Sequence, residues 1–217
     1  MIDLNKINGA CTFSMEHYGQ MLDFAVESEY QIGPLHKYEE LSAAKKSILL
    51  RHDVDVSLEL AYEMALFENE RGVESTFFIR LHSKYYDPAQ PNSKTLIKDI
   101  ANIAEVGLHY EVGYYHQNGG DITNLIKKDM EQFASITGLE NFGGAAHMTS
   151  RVGGLTEDEL LSSGLAYEAY ASAISERYKY ISDSASRWRE GCLCNWLGDI
   201  EKLHVLIHPV WWLNWIE

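Results

Sequence analysis

Short runs of aliphatic, β-branched and aromatic residues alternate along this chain with amphipathic segments of helical period, at about 30 residues per unit. Parallel strands cannot be joined by tight hairpins and need a crossover, usually a helix. The alternation therefore predicts a parallel α/β sheet rather than a sandwich or a helical bundle. Strands are expected over 48–50, 74–81, 106–110, 141–147 and 203–212, with shorter ones near 165–168 and 178–182. Helices are expected over 14–29, 56–71, 93–105 and 121–137. Their ends carry the expected signals: Ser14 and Asp121 as N-caps, Gly72 and Gly138 as stops, and Thr156 with Glu159 as a capping box opening a further helix. About six to eight strands allow a barrel or an open sheet.

A chain of 217 residues suits one domain, with 1–46 as a helical extension packed on it. At 46% hydrophobic it can bury a sizeable core. No run approaches the ~20 apolar residues of a membrane span, and no charged-then-apolar start suggests a signal peptide. The three cysteines are an odd number and too few for a disulfide framework, so free thiols and a cytoplasmic location are expected. Cys192 and Cys194 form a Cys-x-Cys with no second pair, which is weak as a metal motif. A net charge of −14 argues against nucleic acid and anionic membranes and is compatible with a neutral or cationic small-molecule substrate. Oligomeric state is not legible.

Parallel α/β folds bind ligands at the carboxyl ends of their strands. Here those ends are unusually polar. The first expected strand runs into Asp53 and Asp55, the second into Arg80 and His82, and later ones into His109, His147 and His208. Singly, each has an ordinary structural use. Asp55 could cap the helix at 56, and a lone histidine is more often a hydrogen-bonded structural group. Jointly they would converge on one rim, and an Asp/His set favours a metal such as zinc. Arg51 could orient Asp53 and depress its pKa, or serve equally well as an ordinary strand-flanking salt bridge.

The stretches "LLRHDVDVSLELAYEMALFENERGVESTFFI", "EVGLHYE", "YKYISDSASRWREG" and "LIHPVWW" together resemble the polysaccharide deacetylases with a NodB-homology domain, most closely a divergent, intracellular-type branch. The resemblance covers most of residues 47–212. It implies an irregular (β/α) barrel of about seven parallel strands and one divalent metal ion, zinc by expectation. The implied activity removes an acetyl group from an N-acetylated carbohydrate. Carried over residue by residue, Asp53 would be the general base, Asp55 and His109 metal ligands, and His208 the general acid. Many relatives have a second ligand histidine four residues after the first; Gly113 stands there in this chain, and His147 is the implied third ligand. Arg151, Asp183, Trp188 and Tyr86 are candidates for substrate binding. Two alternatives share the fold: hydrolysis of a different non-peptide C–N bond, and a non-catalytic sugar-binding or assembly role.

Overall fold

A computed structural model describes residues 11–119, 121–148 and 155–213. Its axis is β2 (Ser47–Val54), buried along its whole length. On one edge β2 pairs with β7 (Lys202–Ile207), which pairs with β6 (Lys179–Ser182). On the other edge β2 pairs first with β1 (Gln31–Gly33), through Ser47–Leu49, and then with β3 (Thr76–Ile79), through Arg51–Val54. Beyond β3 lie β4 (Glu105–Tyr110) and β5 (Gly144–Ala146). Every pairing is parallel, and the seven strands form one sheet, as the βα rhythm predicted.

The 1–46 segment, expected as helical, also supplies β1. The strand expected near 165–168 is reduced to a single bridge between Gly144 and Glu168. The buried Glu168 carboxylate explains the substitution: Oε1 accepts from the Ala146 amide at 3.3 Å and from the Tyr110 hydroxyl at 3.2 Å, and Oε2 from the Tyr170 amide at 2.6 Å. A side chain thus satisfies backbone donors that a longer strand would otherwise have served.

The helices run α1 (Met15–Glu27), α2 (Tyr38–Ala43), α3 (Leu58–Asn69), α4 (Pro91–Ala101), α5 (Val112–Asn118), α6 (Ile122–Thr137), α7 (Glu157–Ser163), α8 (Ser172–Ser175) and α9 (Pro209–Trp212). The caps at Ser14, Asp121, Gly138 and the Thr156–Glu159 box form as expected. Two ends differ. Helix α4 stops at Ala101 because the chain must enter β4 at Glu105. β7 stops at Ile207, and Pro209 opens α9 instead of interrupting a strand, a position where its missing N–H costs nothing. The cap of α3 is Ser57, whose Oγ accepts from the Leu60 amide at 3.2 Å. Asp55 is thereby released from capping.

Period-two alternation in the strands divides the core into two layers. Ile48, Leu50 and Val54 point outward with Phe77, Leu108 and Val205, under the helices. Leu49, Phe78 and Ala145 point inward, where Leu35, Tyr167 and Ile174 pack with them inside the curled sheet. Each such large side chain, fully buried, contributes about 1.5–3 kcal/mol. The outer layer also holds a buried polar set, in which His52 Nδ1 has no partner. Glu68 accepts from the Tyr18 hydroxyl, stands 2.7 Å from His52 Nε2, and accepts from Ser75 Oγ at 2.5 Å. His52 therefore belongs to the packing under α3, not to the strand-end site.

Inside the curl, space is limited at two glycines. A Cβ on Gly107 would lie 2.6 Å from the Phe78 ring and 2.9 Å from the Gly143 carbonyl oxygen, and one on Gly143 would lie 2.1 Å from the Tyr167 ring. Gly107→Ala and Gly143→Ala are expected to lower stability by about 1–3 kcal/mol, the usual cost of overpacking. Denaturant unfolding checks this; an unchanged midpoint would show that the rings can move aside.

Candidate active site

The carboxyl ends of β2, β4, β5 and β7 open on one cavity of about 400 Å³ lined by Asp53, Asp55, His109, His147 and His208. β2 supplies Asp53 on its inward face. Two residues on, where the strand gives way to α3, Asp55 presents its carboxylate to the same space. β4 supplies His109, and the residues just beyond β5 and β7 are His147 and His208.

Asp55 Oδ1 is buried and has no hydrogen-bond partner. It stands 3.7 Å from His109 Nε2 and 3.6 Å from His147 Nε2, too far for hydrogen bonds. Ligand atoms around a tetrahedral zinc with bonds of about 2.0–2.2 Å stand roughly 3.3–3.6 Å apart. An orphaned carboxylate oxygen facing two imidazole nitrogens at nearly that spacing fits a divalent metal between them.

The imidazoles are prepared for such a role. His109 Nδ1 lies 2.8 Å from the Ala145 carbonyl, which can only accept, so the proton sits on Nδ1 and Nε2 offers its lone pair. Burial, with the neighbouring His109, lowers the His147 pKa to about 4, so it is neutral near pH 7. Arg80 pairs with Glu111 and reaches toward Asp55 Oδ1 at 3.6 Å, while Glu111 Oε1 stands 3.6 Å from His147 Nδ1. Arg80 and Glu111 thus frame the carboxylate just beyond β2 and the imidazole just beyond β5.

Asp53 differs from Asp55. Its Oδ2 accepts from Arg51 Nη2 at 3.1 Å and stands 3.4 Å from His109 Nε2; its Oδ1 is buried and unpartnered. Burial alone would raise its pKa, but the Arg51 guanidinium and the imidazoles of His109, His208 and His147 outweigh it and bring it down to about 2. The effect of Arg51 on Asp53 follows the sequence expectation.

His208 is held from behind. Its Nδ1 lies 2.6 Å from Asp183 Oδ1, and its backbone amide donates to the same carboxylate at 3.0 and 3.2 Å. The Trp212 indole donates to Asp183 Oδ2 at 2.9 Å. Burial would lower the His208 pKa, but Asp183, aided by Asp53 and Asp55, raises it to about 9. Its Nε2 faces Asp55 Oδ2 at 3.8 Å.

The remaining candidates fall elsewhere. Asp183 is fully buried behind His208 and lines no part of the cavity. The Tyr86 hydroxyl is spent on the backbone, donating to the Val54 carbonyl at 2.6 Å and accepting from the Arg80 amide at 3.0 Å, so it locks the loop after β3 instead of facing the cavity. Trp188 packs between Phe13 and Trp212, with centroids 6.3 and 6.1 Å away. Arg151 lies outside the described residues. His82 is held by Asp129 at 2.9 Å and stacked on Tyr114.

The sequence did not single out other wall residues: Tyr170, Tyr180, Ser182, Arg189, Glu190 and Trp211. For Ser182, Arg189, Glu190 and Trp211 the common signal is position, since they lie at or beyond the carboxyl end of β6 or β7. Trp211 takes the place expected of Trp188 as an aromatic wall, and Arg189 puts a cation at the rim.

No family model matches this chain, and no curated protein matches it. Among solved structures it is similar to BA3943, a CE4 family pseudoenzyme from Bacillus anthracis, at 14% identity and a TM-score of 0.46, over 76% of this chain and 55% of that one. It is equally similar to a BA3943 mutant with restored enzymatic activity, at 13% identity and a TM-score of 0.46, over 76% of this chain and 57% of that one. This chain spans little more than half the length of either. Its α/β fold rests on the strand pairing described above.

Asp183→Asn removes the charge that holds the His208 imidazolium. In metal-free protein the His208 pKa is expected to fall from about 9 toward its ordinary 6.5, because only Asp53 and Asp55 then oppose the effect of burial. Histidine NMR titration reads this directly. The raised folded pKa also means that the pair stabilises the metal-free fold fully below about pH 6.5, and that this contribution fades as pH rises through about 9.

Proposed function

We propose that the protein is a metal-dependent amide hydrolase that removes an N-acetyl group from a carbohydrate or from a nucleotide- or lipid-linked sugar precursor in the cytoplasm. The observation that carries this reading is the orphaned Asp55 Oδ1 facing His109 and His147, with Asp53 and His208 on the same cavity. The substrate class is supported by the resemblance of the "HDVD", "GLHYE" and "IHPVWW" stretches to polysaccharide deacetylases. The neighbouring solved structure is described as a pseudoenzyme; this chain carries both an acid and a base candidate, which a binding protein does not need.

Asp55, His109 and His147 would hold the metal, zinc by donor chemistry, with a fourth position open. When bound there, it supplies a polarised carbonyl and a water of lowered pKa. Asp53 is ionised throughout the neutral range and lines the cavity with an unpartnered oxygen, so it can orient the attacking water and take its proton. Arg51 keeps that carboxylate fixed and charged. His208 is protonated near pH 7 and positioned by Asp183, so it can deliver a proton to the leaving nitrogen. The site thus pairs a charged base with a charged acid, each held by an opposite charge behind it. The amine released is cationic near neutral pH, and the chain's net charge of −14 does not repel it.

The two acids of "HDVD" should fail differently. Asp55→Asn and His109→Ala are expected to lose metal affinity and activity together. Asp53→Asn and His208→Ala should retain the metal yet lose turnover by roughly 10²–10⁴-fold, the range for a positioned base or acid. Metal content and acetate release from N-acetylated nucleotide-sugars and oligosaccharides, measured on the same samples, check this. Ring-opened product from cyclic amides with no acetate release would move the reading to another C–N bond. Sugar binding without any turnover in the metal-loaded wild type would sink the hydrolase.

A further inference from the structure

All three cysteines of the chain meet at one place outside the cavity, Cys11 joining the sequence-distant pair Cys192 and Cys194. Cys11 precedes α1, and Cys192 and Cys194 flank the start of a 3-10 turn at Leu193–Asn195. His17, in the first turn of α1, joins them. Cys11 Sγ lies 3.5 Å from Cys194 Sγ, and His17 Nε2 lies 3.3 Å from Cys192 Sγ. One ligand atom from each of the four side chains lies within 4.8 Å of the other three. His17 and Cys192 are buried, Cys194 is half-buried and Cys11 exposed. The cluster is not legible locally, because a Cys-x-Cys alone is weak and its partners stand about 180 residues upstream.

We propose that Cys11, His17, Cys192 and Cys194 form a structural zinc site. Three sulfurs and one imidazole nitrogen are a complete tetrahedral donor set of the closed, non-catalytic kind. In a tetrahedron with Zn–S bonds of about 2.3 Å the sulfurs stand about 3.8 Å apart, and this cluster needs only small side-chain adjustment to reach that. Binding takes the three cysteines as thiolates, releasing one proton from each to solvent, and His17 through the Nε2 lone pair. A purely apolar use of cysteine would not gather every thiol of the chain around one buried histidine. No oxidant is required, which suits a reducing compartment.

The location gives the site a purpose. Phe13, between Cys11 and His17, lies 6.3 Å from Trp188 and 5.1 Å from Trp212, and His17 stacks on Trp212 at 6.5 Å. Trp212 donates to Asp183, which holds His208. The loop leading to Cys192 supplies Ser184, Ala185, Arg189 and Glu190 to the cavity wall. Ala185 and Ser186 both have positive φ, 59° and 55°, a conformation that non-glycine residues hold only when their surroundings impose it. The zinc would fasten the start of α1 to the far end of that loop and keep the wall in place.

The test uses the full chain carrying Asp55→Asn and His109→Ala together, so that the cavity site cannot contribute metal. Purified with reductant and without chelator, this double variant should retain one zinc per chain by mass spectrometry. Adding Cys11→Ser or Cys194→Ser should remove it while far-ultraviolet circular dichroism is unchanged. Cobalt exchanged into the double variant should give thiolate-to-cobalt charge-transfer bands, which a carboxylate–imidazole site cannot produce. These bands decide the matter even if a cysteine variant fails to fold. A double variant that binds neither zinc nor cobalt, or a Cys11–Cys194 disulfide in alkylated, non-reduced protein, would overturn the proposal. Either result leaves the cavity metal, measured separately in the wild type, untouched.

Discussion

The Arg51 guanidinium has no exposed surface, and it occupies the middle of the curled sheet. Its Nη2 donates to Asp53 at 3.1 Å and to the Tyr170 hydroxyl at 2.5 Å, and its plane lies 4.5 Å from the Tyr170 ring centre and 5.6 Å from that of Phe78. Removing such a cation from water costs several kcal/mol unless charge and hydrogen bonds compensate it. Asp53 supplies the charge, while Tyr170 and Phe78 supply the faces. Tyr170 reaches across to Tyr180 on β6, with ring centres 5.8 Å apart, so the same contact draws the strandless segment after Glu168 toward the far edge of the sheet. The curvature and the ionisation of Asp53 therefore share one origin. His204, also facing inward, is pushed well below its ordinary pKa by burial and by Arg51, which keeps a second buried cation out of the same space.

Much of this was legible in the sequence where local rules act. Caps at Ser14 and Asp121, the stop at Gly138 and the box at Thr156 depend on neighbours a few residues away, and they appear as read. The strand-end acids and histidines were legible because β-strands alternate faces and parallel strands deliver their ends to one rim. The placement of His109, His147 and His208 around Asp55 needs little more than that. What escaped depends on closure. β1 is three residues long and exists only because β2 offers it an edge. The 165–168 segment has strand chemistry, yet Glu168 uses its side chain where backbone pairing would have continued.

The same distinction separates the wall residues. Trp188 and Trp211 are equally aromatic, but α9 turns Trp211 to the cavity, while the stacking of Phe13 holds Trp188 among core rings. Tyr86 had the chemistry of a sugar contact and lost it to two backbone groups that needed partners, Val54 and Arg80. In each case a long-range packing demand decided between two uses of one side chain. The cluster of Cys11, His17, Cys192 and Cys194 shows the opposite case, three thiols and an imidazole that acquire a joint meaning only when distant segments are brought together.

β5 has three residues and lies at the end of the strand order, paired with β4 and otherwise held by one bridge and a few hydrogen bonds to the segment around Glu168. Its Ala145 carbonyl sets the tautomer of His109, and its end carries His147. Two of the three imidazoles around Asp55 thus answer to a three-residue edge strand. Native proteins open in pieces, and short, weakly paired edges open at a fraction of the free energy of global unfolding. A brief detachment of β5 would scramble one imidazole and withdraw the other while β2, β3 and β7 stayed intact. The lifetime of the assembled site is then set by the fraying of an edge and not by the melting of the core.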